Sequence, residues 1–291
     1  MSTHSIAFIG TGVMGRSMAG HLQAAGHTLH VHNRTKAKAQ ALLDAGATWH
    51  DTPGAAAAQA DFVITIVGYP HDVEETYFSP QGVLARARPG AVLIDMTTSS
   101  PALARRIAAA ARTEGLSALD APVTGGDVGA REARLSIMAG GDEAAFQRAR
   151  PLFERMGRTV VFHGGPGSGQ LCKLANQIAI ASVMMSWCEA LAFARGAGLD
   201  AQRVLESIGG GAAGSAAMSV LAPRALRGDF APGFYVKHFI KDMKLALECA
   251  AEMQLGLPGL AAAKHLYDQV SAHGWDDCGT QALWRLYAER G

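Results

Sequence analysis

Short apolar runs alternate with helical patterns through the first half of the chain. Each run is short enough for one buried strand, and six of the seven runs are followed directly by Gly, Asn or Asp. The stretches between several runs repeat apolar residues at helical spacing. This βα alternation predicts an α/β domain over residues 1–163, with a Rossmann-type, doubly wound parallel sheet. The predicted strands are 5–9, 28–32, 62–67, 91–95, 116–119, 135–139 and 159–163.

The second half, residues 164–291, shows no convincing strand pattern. We expect an all-α C-terminal domain here, joined to the first domain by a long inter-domain helix within 163–198. Further helices are predicted over 200–207, 218–226, 236–253, 260–272 and 281–289.

The inter-domain helix carries an unusual charge. Glycines precede it, Lys173 lies in its early turns, and no further charge follows until Glu189. Because a spanning helix needs roughly 20 apolar residues, and Asn176 and Gln177 interrupt this run, we expect a buried core helix and no membrane span. A lone lysine on an apolar helix is usually an end residue whose ammonium reaches water, so a catalytic role needs further support.

The first strand leads directly into a glycine turn. The residues are Gly10, Thr11, Gly12, Val13, Met14 and Gly15, a GxGxxG pattern between a predicted strand and a predicted helix over 14–25. In a dinucleotide-binding turn these glycines permit a tight bend, close approach of a diphosphate, and close packing of the helix. The pattern alone is weak, since the chain has 34 glycines, but its position favours a dinucleotide site.

The end of the second strand bears on which dinucleotide is bound. An NAD-preferring fold places Asp or Glu there, whereas this chain has Asn33, Arg34 and Thr35. Arg34 could pair with a 2′-phosphate, and the turn holds no carboxylate to repel it. NADP is therefore the favoured cofactor, with NAD possible. The alternative is an exposed turn that only caps the next helix.

Two later strand ends carry candidate ligand groups. Val67 and Thr98 each end or follow a predicted strand, where ligands lie in such folds, whereas Ser100 fits a helix cap. After the strand at 116–119, Thr124, Gly125 and Gly126 expose successive backbone amides suited to a carboxylate. Without other evidence, an ordinary glycine turn is the favoured explanation of these last three residues.

Composition narrows the classes of function. The chain has 291 residues, 49% hydrophobic content and a net charge of +1, which gives no electrostatic case for nucleic acid or anionic membrane. Its four cysteines show no CxxC pair and no zinc spacing, so we expect no metal, and the N-terminus shows no signal peptide pattern. A cytoplasmic protein with a small-molecule partner is expected.

Four blocks in this order resemble the β-hydroxyacid dehydrogenases, the group that contains 3-hydroxyisobutyrate dehydrogenase and tartronate semialdehyde reductase. They are FIGTGVMG at 8–15, DAPVTGG at 120–126, GSGQLCKLANQ at 167–177 and FIKDMKLAL at 239–247. The resemblance covers nearly the whole chain. It implies that Gly10 to Gly15 bind the dinucleotide and that Thr124, Gly125 and Gly126 hold a substrate carboxylate.

The resemblance also implies roles for the lysines. Lys173 looks like the catalytic acid and base, Asn176 or Gln177 like its partner, and Lys241 like a contact to cofactor and substrate that Asp242 orients. Many members carry Asn four residues after the lysine, where this chain has Gln177, so the partner's identity stays open. Thr124 replaces the more usual serine and keeps the hydroxyl. His163, His238 and His265 are rival acid/base candidates without a recognisable constellation.

The implied activity is NADP(H)-dependent interconversion of a 3-hydroxy carboxylic acid and its semialdehyde, of the 2-hydroxy-3-oxopropionate reductase or 3-hydroxyisobutyrate dehydrogenase type. Alternatives are a glyoxylate or succinic semialdehyde reductase, and a non-catalytic nucleotide-binding module of the same fold. Imine reductases and 6-phosphogluconate dehydrogenases are minor alternatives. The apolar surface of helix 178–193 further predicts a homodimer or homotetramer.

Overall fold

The computed structural model describes residues 3–288. Contacts divide the chain into one unit that ends at Lys173 and a second that starts at Leu174. The expected boundary at 163 precedes the long helix, whereas these contacts group the first turns of that helix with the sheet.

The first unit is built on a nine-stranded sheet with the order β3-β2-β1-β4-β5-β6-β8-β7, in which β9 also pairs with β8. The six strands from β3 to β6 are parallel, as predicted, and end at one edge. The strands are β1 Ser5–Ile9, β2 Thr28–His32, β3 Thr48–Trp49, β4 Phe62–Thr65, β5 Val92–Asp95, β6 Ser117–Asp120, β7 Val123–Thr124, β8 Leu135–Gly141 and β9 Gly157–Phe162.

Helices cover both faces of this sheet. In β1, Ile6 and Phe8 belong to one hydrophobic core and Ala7 and Ile9 to another, as the alternation of strand side chains requires. This confirms the doubly wound prediction. The helices are α1 Gly15–Ala24, α2 Gln40–Asp44, α3 Pro53–Ala57, α4 Pro70–Phe78, α5 Pro101–Thr113, α6 Gly126–Arg131 and α7 Glu143–Met156, with a 3₁₀ turn at Lys36–Ala39.

The sheet departs from the prediction at β8, which runs antiparallel to β6 and β7. The chain does not cross back over the sheet between β6 and β8, and an antiparallel neighbour needs no such crossover. The strands β3 and β7 were not predicted, because two residues are too few to show an alternating pattern.

The second unit is helical, which confirms the predicted all-α domain. Its helices surround a core that includes Met184, Trp187, Phe239 and Tyr267, and within 174–288 the only strand-like feature is an isolated bridge between Tyr235 and Gly279. The predicted end of the last helix at residue 289 lies outside the described residues. The helices are α8 Ser168–Gly196, which begins in the first unit, α9 Ala201–Gly209, α10 Ala216–Leu226, α11 Val236–Glu252, α12 Pro258–Ala272 and α13 Leu283–Ala288.

The helix α8 is long and apolar. Its most apolar window has a mean hydropathy of 1.4, enough by length and composition to cross a membrane, and 39% of that window is buried within the chain. Core helices of globular proteins meet the same criterion, and α8 is the one helix among residues 3–288 that does so.

The glycine turn between β1 and α1 shows which glycines the fold itself requires. A Cβ on Gly15 would lie 1.9 Å from the Gly10 carbonyl oxygen, and Gly10 has a φ of 98°. A Cβ on Gly12 would meet no atom within 4 Å. Packing therefore demands glycine at Gly10 and Gly15 but leaves space beside Gly12.

We expect Gly15→Ala to lower the free energy of unfolding by about 3 kcal/mol, since backbone must move to admit the methyl group. Gly12→Ala is the matched control and should change it by less than about 1 kcal/mol. Urea unfolding of both variants at neutral pH measures the difference. Equal stabilities would contradict the packing argument.

Candidate functional site

The Asn33 side chain hydrogen-bonds to the turn after β1. The Asn33 carboxamide accepts a hydrogen bond from the Thr11 amide at 3.1 Å and donates to the Thr35 carbonyl at 2.8 Å. No side chain caps the start of α1, whose N-cap residue is Met14. The Arg16 and Ser17 amides donate to the Gly12 and Met14 carbonyls, so the amides before Arg16 are the ones suited to an anion. Together with the space beside Gly12, this arrangement fits a dinucleotide diphosphate.

The turn after β2, from Asn33 to Thr35, differs from expectation in one respect. The Arg34 side chain is 92% exposed, and its guanidinium lies 3.8 Å from the carboxylate of Asp72 at the start of α4. The prediction that no carboxylate lies near Arg34 holds for its neighbours in the sequence but not for the fold, which brings Asp72 close to it. Arg34 remains reachable by a phosphate, which would compete with Asp72 for it.

The loops after β4 and β5 are fastened to each other. The Thr97 hydroxyl accepts from the Val67 amide at 2.9 Å, and the Thr97 amide donates to Asp95 at 3.1 Å. Burial raises the pKa of the Asp95 carboxyl to about 6, against the opposing effect of hydrogen bonds from Thr97 and Thr65. Thr97 thus connects two loops of the fold, whereas Thr98 beside it is partly exposed at the carboxyl edge of the sheet.

The Thr124 segment forms a glycine turn that leads into α6. Gly125 and Gly126 have φ values of 130° and 64°, which side chains rarely adopt. Gly125 is exposed, and Thr124 and Gly126 are half-buried. The backbone here is therefore accessible, which is compatible both with a carboxylate-binding site and with a plain turn.

The first turn of α8 is fixed by a buried carboxylate that sequence analysis left without a role. Asp120, at the end of β6, accepts from the amides of Gly167 and Gln170, each at 2.8 Å. Burial raises the pKa of this carboxyl, and the amide hydrogen bonds oppose that rise. A turn further along, the Lys173 side chain is buried, with 6% of the residue exposed. One sign in the sequence indicates that these residues matter, since Asp120 and Gln170 both lie within the blocks that carry the family resemblance.

A second polar network joins α8 to α11 inside the helical unit. The Gln177 carboxamide donates to Asp242 at 2.6 Å and accepts from the Asn176 amide group at 2.7 Å. The Lys241 ammonium lies 3.0 Å from the other oxygen of Asp242. Gln177 is 1% exposed and therefore connects the two helices, whereas Asn176 is half-buried on the same helix. Gln177 and Asn176 thus differ in what they contact.

The rival acid/base groups are less suitable. His163 and His265 are exposed, and the ring of His238 packs against Phe234 and Tyr235. No group of three His, Cys, Asp or Glu side chains within residues 3–288 could hold a metal ion. Among Lys173 and these three histidines, Lys173 alone is buried.

Comparisons with known proteins find family matches in both halves of the chain. Residues 5–165 match the family described as the NAD binding domain of 6-phosphogluconate dehydrogenase, and residues 167–287 match the one described as NAD-binding of NADP-dependent 3-hydroxyisobutyrate dehydrogenase. Together the two matches cover almost the whole chain.

Individual relatives cover the chain equally well. The uncharacterized oxidoreductase YkwC of Bacillus subtilis is 52% identical over 98% of this chain and 99% of its own length. The 2-hydroxy-3-oxopropionate reductase of Escherichia coli is 40% identical, with 96% and 95% covered. A solved Mycobacterium tuberculosis 3-hydroxyisobutyrate dehydrogenase with L-serine has a TM-score of 0.89 at 32% identity, with 98% and 99% covered. The chain therefore belongs to the β-hydroxyacid dehydrogenase family and is an NAD(P)-dependent dehydrogenase that acts on CH–OH groups.

Proposed function

We propose that the protein interconverts a 3-hydroxy carboxylic acid and its semialdehyde with NADP(H), and that Lys173 is its acid and base. The observation that carries this proposal is a buried lysine one turn beyond the anchored start of α8. The relatives' names support the substrate class, since 2-hydroxy-3-oxopropionate is itself a semialdehyde. L-serine, named with the solved relative, is a 3-hydroxy carboxylic acid.

The bound nicotinamide supplies or accepts the hydride. During reduction the Lys173 ammonium donates a hydrogen bond to the substrate carbonyl oxygen, stabilises the negative charge that develops there and gives up its proton to it. In the opposite direction the neutral amine takes the hydroxyl proton. A lysine shielded from water suits both roles, because electrostatic interactions and hydrogen bonds with the substrate oxygen are stronger where water is excluded.

Neighbouring groups fill the remaining roles in this proposal. Asn176 follows Lys173 by three residues and so shares its helix face, while Gln177 holds Asn176 and Asp242 in place. Thr124 and the amides of Gly125 and Gly126 bind the substrate carboxylate. Lys241, oriented by Asp242, supplies a second positive charge for the anionic ligands.

Replacing Lys173 tests the mechanism directly. We expect Lys173→Ala to lower kcat by about 10²- to 10⁴-fold, the usual contribution of a positioned acid and base, and to leave NADPH binding unchanged. Lys244→Ala, at a lysine of α11 that is 70% exposed, is the control and should retain full turnover. Steady-state assays with tartronate semialdehyde, methylmalonate semialdehyde, succinic semialdehyde and glyoxylate measure both variants. Full turnover by Lys173→Ala on the preferred substrate would refute the mechanism.

The NADP preference is proposed from Arg34. Its exposed guanidinium can exchange the 3.8 Å contact to Asp72 for a bidentate contact to a 2′-phosphate. An Asp or Glu at this strand end would instead bind the ribose hydroxyls of NAD, and none follows β2 in this chain.

We therefore expect kcat/KM to be at least about tenfold higher with NADPH than with NADH, a difference of about 1.4 kcal/mol. Arg34→Ala should remove most of that difference by weakening NADPH alone, so the NADH assay of the same variant is its internal control. A tenfold preference of the unmodified protein for NADH would show the argument from Arg34 to be wrong.

We also propose that the protein is a cytoplasmic homodimer or homotetramer. Ala175, Ala179, Ser182, Ser186, Glu189 and Phe193 are exposed on α8 at alternating spacings of four and three, which puts them on one face. Phe193 is 79% exposed, and a second copy of the chain would cover it. All four cysteines are free thiols, as a reducing compartment favours.

Light scattering at micromolar concentration measures the assembly. We expect a mass about two or four times the 30.4 kDa of one chain, and Phe193→Lys should lower it towards 30.4 kDa by placing a charge in the interface. Arg203→Lys, a conservative change at an exposed residue of α9, is the control and should leave the mass unchanged. A 30.4 kDa mass for the unmodified protein would contradict this proposal.

A further inference from the structure

The side chain of Gln170 joins the start of α8 to the loop after β5. Its carboxamide oxygen accepts from the Ser99 amide at 2.9 Å, and its carboxamide nitrogen donates to the Thr97 carbonyl at 2.7 Å. The residue has no exposed surface. We call these two hydrogen bonds the Gln170 bridge.

The Gln170 bridge requires a group that both accepts and donates. A carboxamide meets both needs at once, whereas an ionised carboxylate only accepts and an apolar side chain does neither. Without the bridge, the Ser99 amide and the Thr97 carbonyl would lose their partner in a buried place. The chemistry of the site thus favours glutamine over an ionised glutamate or an apolar side chain.

The bridge also reaches the loop after β4. Thr97, whose carbonyl accepts from Gln170, holds the Val67 amide through its hydroxyl. Val67 and Thr98 are the residues of these two loops that we expect to contact the cofactor. Gln170 therefore connects α8 with both loops inside the first unit.

The surrounding backbone leaves α8 little freedom to shift against the sheet. Asp120 binds the amides of Gly167 and Gln170, and a Cβ on Gly169 would lie 2.3 Å from the Met138 carbonyl oxygen. Lys173 follows Gln170 by three residues, so the two lie on neighbouring positions of one helix face. Whatever fixes Gln170 also fixes where the Lys173 side chain starts.

We propose that Gln170 is a positioning residue for the reaction, which sets Lys173 relative to the loops that carry Val67 and Thr98. This inference rests on the proposed role of Lys173. Catalytic groups must be held close to their productive geometry, and a displacement of about 1 Å costs on the order of a hundredfold in rate. Gln170 acts through Lys173 and does not itself contact the reacting atoms.

The test compares two buried glutamines. Gln170→Leu should lower kcat about 10- to 100-fold and change the Kd of NADPH by a smaller factor. Gln281→Leu is the matched control, since Gln281 is 1% exposed and donates to the backbone carbonyls of Asp229 and Ala231 in the other unit. It should lower thermal stability comparably but retain the unmodified kcat. Equal kcat values for the two folded variants would overturn the proposal.

Gln170→Glu gives a second readout that a purely structural role would not move. A protonated glutamic acid can accept from Ser99 and donate to Thr97, whereas its ionised form loses the second bond. Relative to the unmodified protein, kcat of this variant should therefore recover as the pH falls, by about tenfold across its titration. Gln281→Glu should show no such recovery. If Gln170→Leu does not fold, a Gln170→Glu pH profile identical to that of the unmodified protein is the overturning result.

Lys173→Ala separates the two proposals. If it removes turnover while Gln170→Leu keeps it, the role of Gln170 is wrong and the proposed function stands. If Lys173→Ala keeps turnover, the proposed function fails first. In a Lys173→Ala background, Gln170→Leu should cause no further loss of the residual rate, because a residue that acts through the lysine has nothing left to position. A further loss of tenfold would overturn the proposal.

Discussion

The structure depends on how the start of α8 is attached to the carboxyl edge of the sheet. Asp120 satisfies two backbone amides at the point where this helix begins, which would otherwise remain without partners in a buried place. These hydrogen bonds attach the first turn of this long apolar helix to the sheet of the nucleotide-binding unit. Lys173 is consequently attached to the backbone at the carboxyl edge of the sheet, and its position depends on the sheet.

Buried carboxylates are costly, and the sheet edge contains two. Asp95 and Asp120 are paired in register on β5 and β6, and burial raises the pKa of both. Each is retained with hydrogen bonds from backbone amides, which offset the cost of removing a charge from water. Asp95 thus organises the loop after β5 and Asp120 the start of α8, so the polar interior of this unit holds segments at the carboxyl edge of the sheet.

Local patterns in the sequence were enough to predict the main strands and helices. The strands β1 and β2 agree with prediction to the residue, because their apolar runs and bounding turn residues are adjacent in the chain. Contacts between distant segments could not be predicted. Gln170 meets Thr97 from 73 residues away, and Asp72 approaches Arg34 because α4 follows β4, which lies two strands from β2 in the sheet. The short strands β3 and β7 were missed since two residues carry no period, and the separate contacts of Gln177 and Asn176 depend on α11.

The central claim is that Lys173 exchanges a proton with the substrate oxygen. A crystal structure of the protein with NADP⁺ and a 3-hydroxy carboxylic acid tests it most directly, because the acid must lie within hydrogen-bond reach of the atom it protonates. The account predicts a distance of about 2.6 to 3.2 Å between the Lys173 Nζ and the substrate 3-hydroxyl oxygen. A substrate whose hydroxyl contacts a histidine or only solvent, with Lys173 turned away from it, would contradict the account.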